Sequence, residues 1–177
     1  TLFRSQIPEE HWNFARNLLE QHGVPADGFG PEDRGRLGDD VTVLPDVVER
    51  SLDIAFRHPI KLIANALGVP PKAMIDRARQ HDVAVAALVG AREHALKQAA
   101  AGVDILVAQG TEAGGHCGEV STLVVVPEIL DALGPDRSAY VLAAGGIMTG
   151  RQMAAVMALG ADGAWTGSVW LPTTESE

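Results

Sequence analysis

Apolar and polar positions change their rhythm twice along the chain. Between residues 8 and 22, Trp12, Ala15, Leu18 and Leu19 share one face at helical spacing, and Pro8, Glu9 and Glu10 suit a first helical turn. Gly23 is placed to stop that helix. Residues 24–40 carry Pro, Gly and Asp with scattered Arg and no period, the pattern of a long surface loop that serves as a lid or an insertion. A second helical stripe of Val48, Leu52, Ala55 and Phe56 follows Pro45 and ends before Pro59.

Beyond Pro59 the pattern becomes continuous apolar runs of strand length, beginning near Ile60, Val83, Ile105, Tyr140 and Gly163. Amphipathic stretches at 71–81, 92–101, 123–133 and 150–159 separate them. A strand buried on both faces loses its alternation, and a parallel neighbour requires a crossover, usually a helix. The reading is therefore a βαβ rhythm of class α/β. Two joints repeat: in AAAGVDIL (99–106) and ALGADGAW (158–165) a helix ends on Gly102 or Gly160, and Asp104 or Asp162 opens the next strand. Five such strands fit an open doubly wound sheet or an arc of a β/α barrel, and spacing does not choose between them.

Length narrows the choice. With 177 residues the expectation is one domain with one core, too short for a complete barrel of about 250 residues. The first residues, Thr1-Leu2-Phe3-Arg4-Ser5, show neither a starting Met nor a signal pattern, so the chain is expected to lie within a longer polypeptide. Fourteen basic against 23 acidic residues leave a net charge of -9, which repels phosphate backbones and anionic lipid heads. Neither nucleic acid nor a membrane is an expected partner. Cys117 has no second cysteine to pair with, and no apolar run is long enough to span a bilayer, so a cytoplasmic protein is expected.

In parallel α/β folds ligands collect beyond the carboxyl ends of the strands. Three segments there carry candidate chemistry. In AAGGIMTGRQ, Gly145 and Gly146 stand where a strand leaves the sheet and Gly150 where a helix begins, so bare backbone N–H groups can cradle a phosphate or simply form a tight turn. Gly167 and Ser168 sit inside the fifth apolar run, where glycine often marks the close approach of a ligand. AQGTEAGGHCGEV has four glycines in nine residues, which reads as a mobile loop, with His116 at its centre. Imidazole titrates near pH 6.5 in water and suits proton removal at neutral pH, although a solvated loop histidine has the same signature. Glu112 and Glu119 are a candidate carboxylate pair, with loop solvation the plainer reading. The other histidines lack metal-ligand spacing, so no metal site is expected.

Together, AQGTEAGGHCGE, LAAGGIMTGRQMAAVMALGADGAW and TGS resemble the nitronate monooxygenase (2-nitropropane dioxygenase) family, over residues 60–175. The resemblance implies an FMN-dependent (β/α)8 TIM barrel, present here as about five β/α units; the helix and loop of residues 1–44, outside the resemblance, keep their reading as a lid or insertion. It further implies His116 as the catalytic base, and Gln109, Gly114 and Gly115 as flavin contacts. Gly145 and Gly146 become the first phosphate turn, and Trp165, Thr166, Gly167 and Ser168 the second. Many members have QMGT where this chain has WTGS, and some have a lysine where Leu88 stands. The implied reaction is oxidation of alkyl nitronates and nitroalkanes by dioxygen. The alternatives are an FMN-dependent enoyl thioester reductase or dehydrogenase acting on acyl-CoA or steroid-derived substrates, and an inactive fragment or non-catalytic phospho-ligand binder. Nothing in the sequence indicates the oligomeric state.

Overall fold

The computed structural model describes residues 8–26 and 45–176. The chain divides into two compact units, residues 1–57 and 58–177. In the smaller, α1 (Glu9–Gln21) and α2 (Pro45–Ala55) form where the apolar stripes predict them, and Trp12 and Leu52 are buried. The loop expected at 24–40, with its lid or insertion role, lies outside the described residues from 27 onward.

The larger unit holds one five-stranded sheet of β1 (Leu62–Asn65), β2 (Ala84–Val89), β3 (Ile105–Gln109), β4 (Tyr140–Ala144) and β5 (Gly163–Trp165). Every neighbouring pair is parallel, and the spatial order is β1-β2-β3-β4-β5. The crossovers are α3 (Lys72–Gln80), α4 (Arg92–Ala101), α5 (Thr122–Leu133) and α6 (Gly150–Ala158). This order decides what spacing left open. Right-handed crossovers that always step the same way place every helix on one face of the sheet, whereas a doubly wound sheet reverses at a switch point. The fold is an arc of a (β/α)8 barrel. Its core comes from the central strands and the helix above them: Val85, Leu106, Val107, Val141, Val125 and Ile129 are all at most 1% exposed. Each large aliphatic group so removed from water contributes about 1.5–3 kcal/mol.

The repeated joint is a repeated clamp. Gly102 closes α4 at φ 88, and Gly160 follows α6 at φ 103. Asp104 N–H then donates to the Val85 carbonyl at 3.0 Å, while its carboxylate accepts from Val85 N–H at 2.8 Å. Asp162 repeats this on Val141, at 2.8 and 2.7 Å. Each aspartate thereby docks an incoming strand onto the strand it will pair with. Arg137 Nη2 also reaches both Asp162 oxygens at 3.0 Å. Burial pushes the Asp162 carboxyl up, but the Val141 N–H and the guanidinium outweigh it and hold the group below its usual range.

One expectation fails at the end of the sheet. The apolar run from Gly163 does not stay extended: β5 stops at Trp165, and Ser168–Trp170 is a 3-10 turn, so Gly167 and Ser168 lie beyond the strand. Ladder pairing ends at Ala144↔Trp165, because β4 turns away at Gly145 and offers no partner beyond it. Trp170 Nε1 donates to Thr166 Oγ1 at 3.1 Å across the turn, and the apolar Trp170 and Leu171 remain exposed.

Candidate functional site at the strand ends

The β4–α6 turn is built from within. Gly145 and Gly146 take φ 111 and 70, and a Cβ on Gly145 would stand 2.7 Å from Thr122 Oγ1 and 2.9 Å from Ala113 N. The first turn of α6 holds the shape: Gln152 Oε1 accepts from Met148 N–H at 2.9 Å and Thr149 N–H at 3.0 Å, and Gln152 Nε2 donates to the Gly146 carbonyl at 2.7 Å. Thr149 and Gln152 complete a reciprocal capping box. The Thr-x-x-Gln spacing at 149–152 signals this in the sequence, and it adds Gln152 to the expected site residues. Gly145, Gly146, Trp165, Thr166, Gly167 and Ser168 line one cavity of about 310 Å³, with Gln109 and Gly114 on its wall. Eight of the ten expected site residues thus meet at one place.

His116 and Gly115 are the other two. Gly115 is among the lining residues of neither cavity, although its φ of 75 makes glycine apt for the turn. His116 is exposed and lines a second cavity of about 770 Å³, with Leu88, His94, Lys97 and Gln98. The two cavities share the 110–120 loop as a wall, one using Glu112 to Gly114 and the other His116 to Val120.

That loop is not the freely mobile segment its glycines suggest, because its base is stapled. Gln109 Nε2 donates to the Gly114 carbonyl at 3.1 Å, Gly118 N–H to the Gln109 carbonyl at 3.2 Å, and Thr111 N–H to the Val120 carbonyl at 2.9 Å. Gly118 also packs its backbone on Gly90, where a Cβ would stand 2.7 Å from Gly118 Cα. This contact joins segments far apart in sequence, so composition does not reveal it.

Of the candidate carboxylates, Glu112 lines the smaller cavity and Glu119 the larger. Glu112 Oε2 accepts from both the N–H and the hydroxyl of Thr122, each at 2.9 Å. The Thr122 N–H is the main cause holding the Glu112 carboxyl below its usual range, against the opposing effect of burial. Thr122 itself is buried, and its hydroxyl also lies 3.1 Å from the Ala144 and Gly145 carbonyls. Among the described residues no cluster of three or more His, Cys, Asp or Glu is placed to hold a metal ion, and no helix is long and apolar enough to cross a membrane.

Comparison with known proteins points the same way. The family described as Nitronate monooxygenase matches residues 32–177. Rv1533 of Mycobacterium tuberculosis, a protein named for a monooxygenase, is 53% identical over 98% of this chain and 45% of its own length. A Rhodococcus jostii dehydrogenase, named for a hydroxy-methyl-oxo-octahydroindene-carboxyl-CoA, is 38% identical over 71% of this chain and 34% of its own. The crystal structure of a nitroalkane oxidase from Streptomyces ansochromogenes superposes with a TM-score of 0.65 at 32% identity, over 71% of this chain and 38% of that one. The chain therefore spans less than half the length of each of these three proteins.

Proposed function

The chain belongs to the nitronate monooxygenase family, and we propose that it forms the FMN-binding and proton-abstracting part of an oxidoreductase that oxidises alkyl nitronates with dioxygen, nitroalkanes being secondary substrates. The observation that supports this most directly is the pairing of a glycine-lined cavity with a histidine-bearing one across a single loop.

The residues present fit an FMN phosphate. Gly167 has φ -122, and a Cβ there would meet nothing within 4 Å, so no internal packing calls for glycine. Bare backbone beside Gly146 and the Ser168 hydroxyl suits a close-approaching anion. When bound, FMN supplies the electron transfer between substrate and dioxygen. The chain's residues do the rest. Gly146, Gly167 and Ser168 hold the phosphate, and Gln109 keeps the 110–120 loop folded beside it. An imidazole nitrogen of His116 takes the α-proton of a neutral nitroalkane, the C–H pair becoming the C=N bond of the nitronate, and later returns that proton to water.

The test is His116→Asn in the purified, FMN-loaded chain. Turnover of neutral nitroalkanes is expected to fall at least about 100-fold, while preformed nitronates, which need no base, keep their rate. Equal loss on both substrates removes the base assignment.

The 770 Å³ cavity supports a second reading, oxidoreduction of a bulky thioester, because that volume lies in the range of about 300–1,000 Å³ that holds drug-sized ligands and far exceeds a small nitroalkane. Its Leu88 wall is apolar, where a lysine would favour anionic chemistry. Anaerobic bleaching of the flavin by NADH or NADPH selects the thioester reading. Bleaching by nitronate alone selects the first. A folded chain that stays colourless with added FMN contradicts both and favours a phospho-ligand binder.

A further inference from the structure

We propose that Gln98 is a specificity-determining residue of the larger cavity, its carboxamide oxygen receiving a neutral N–H donor, the secondary amide of a thioester's thiol arm. The inference rests on the thioester reading of that cavity and narrows it from size to chemistry.

The core-facing stripe of α4 holds Ala95 and, three residues on, Gln98, which are 0% and 3% exposed. A leucine at the second position would bury a similar volume without polar cost, whereas glutamine brings a donor and an acceptor that both need partners. One end is accounted for. Gln98 Nε2 donates to the Gly68 carbonyl at 2.6 Å, and Asn65 Nδ2 donates to the same oxygen at 2.8 Å. Turning the Gln98 amide over would set two oxygens against each other, so Oε1 is held away from Gly68. Oε1 is closed from water and has no hydrogen-bond partner among the described residues. Buried acceptors are satisfied as a rule, and this one belongs to a side chain that lines the 770 Å³ cavity together with His116.

The remaining lining selects the kind of donor. Lys97 is offset by Glu119 and Glu128, so an anion gains little there, while Leu67, Val69 and Leu88 offer apolar wall. An N–H set within a hydrocarbon chain gains from both the wall and Oε1. A nitroalkane carries no N–H or O–H to give. The ligand reaches Oε1 by displacing the turn that abuts it at Gly68; Leu67 and Val69 of that turn are 58% and 50% exposed, so its movement uncovers little core.

The test titrates two ligands into the 177-residue chain: the hexanoyl thioester of N-acetylcysteamine, and its isostere in which an ester oxygen replaces the amide N–H. Binding is followed by NMR at the backbone amides of Gly68 and Ala91, both in the cavity wall. Wild type is expected to bind the amide at least about tenfold tighter than the ester. Gln98→Met keeps the bulk and removes the acceptor, so it should bind the two ligands equally, at the level of the ester in wild type. A Gln98 that only holds the 66–69 turn would weaken both ligands alike and preserve their ratio, which overturns the proposal. Equal binding of amide and ester by wild type also overturns it, and that comparison stands even if Gln98→Met fails to fold. If neither ligand moves the Gly68 and Ala91 signals of wild type, the thioester reading of the cavity falls, and the role of Gln98 with it.

Discussion

Gly145 and Gly167 stand at the ends of adjacent strands, line the same cavity and are glycines for opposite reasons. At Gly145 the protein itself excludes a side chain, through a φ of 111 and the nearby Thr122 hydroxyl and Ala113 nitrogen. At Gly167 φ is negative, at -122, and the space is open. The difference teaches that a glycine-rich motif mixes residues the fold requires with residues left bare toward a ligand, and only the surroundings of each tell them apart.

Substitution should separate the two. Gly145→Val combines left-handed backbone with overpacking, so a loss on the order of 3 kcal/mol or more in urea unfolding is expected. A loss below about 1 kcal/mol would mean that the turn relaxes freely and that the contrast with Gly167 is empty. Gly167→Val should leave stability within about 0.5 kcal/mol and weaken FMN binding at least about tenfold, read by flavin fluorescence quenching. Parallel losses of stability and binding at Gly167 would place it in the same class as Gly145.

A gentler contrast lies between the two rims of the sheet. Asp162 at the amino end of β5 and Glu112 at the carboxyl end of β3 both have carboxyls held below their ordinary values of 3.8 and 4.5. A depressed folded pKa adds stability that is complete above the unfolded value and is lost as pH falls through the folded one. Acid unfolding should therefore begin below about pH 4.5. Asp162→Asn should cost stability at pH 7 and progressively less as the pH drops below 3.8. A cost that does not change with pH would assign the Asp162 effect to geometry rather than charge. The smallest effect is expected at Cys117, which is exposed and has only a 3.9 Å contact from Sγ to the Thr111 carbonyl. Cys117→Ser should shift stability by no more than about 0.5 kcal/mol, and a larger change would show that the histidine loop is tied at its tip as well as at its base.

Much of the fold could be read along the chain. The strands, the crossover helices and the Gly102/Asp104 and Gly160/Asp162 joints all lie where periodicity and capping residues put them, because those signals are local. The fifth strand was overrun, since hydrophobicity does not report that β4 stops offering hydrogen bonds at Gly145. Around the site, eight expected residues converge on one cavity, whereas the Thr122–Glu112 bond, the Gly90–Gly118 contact and the Gln152 staple were not foreseen. The Gln152 staple has a local signal in the Thr149-x-x-Gln152 spacing. The other two had none.

By itself, the order of residues determined a parallel α/β chain, its repeated joints and the glycine and histidine segments of interest, since backbone conformation and amphipathic spacing act over a few neighbours. Tertiary structure decided what spacing left open, that the strands run in sequential order as the barrel arc the resemblance implies, and it alone decided that His116 opens into a different cavity from the glycine cradle and that Thr122 ties the 110–120 loop to the β4–α6 turn. Those outcomes depend on contacts between segments ten to thirty residues apart, and such contacts exist only once the sheet has brought the segments together.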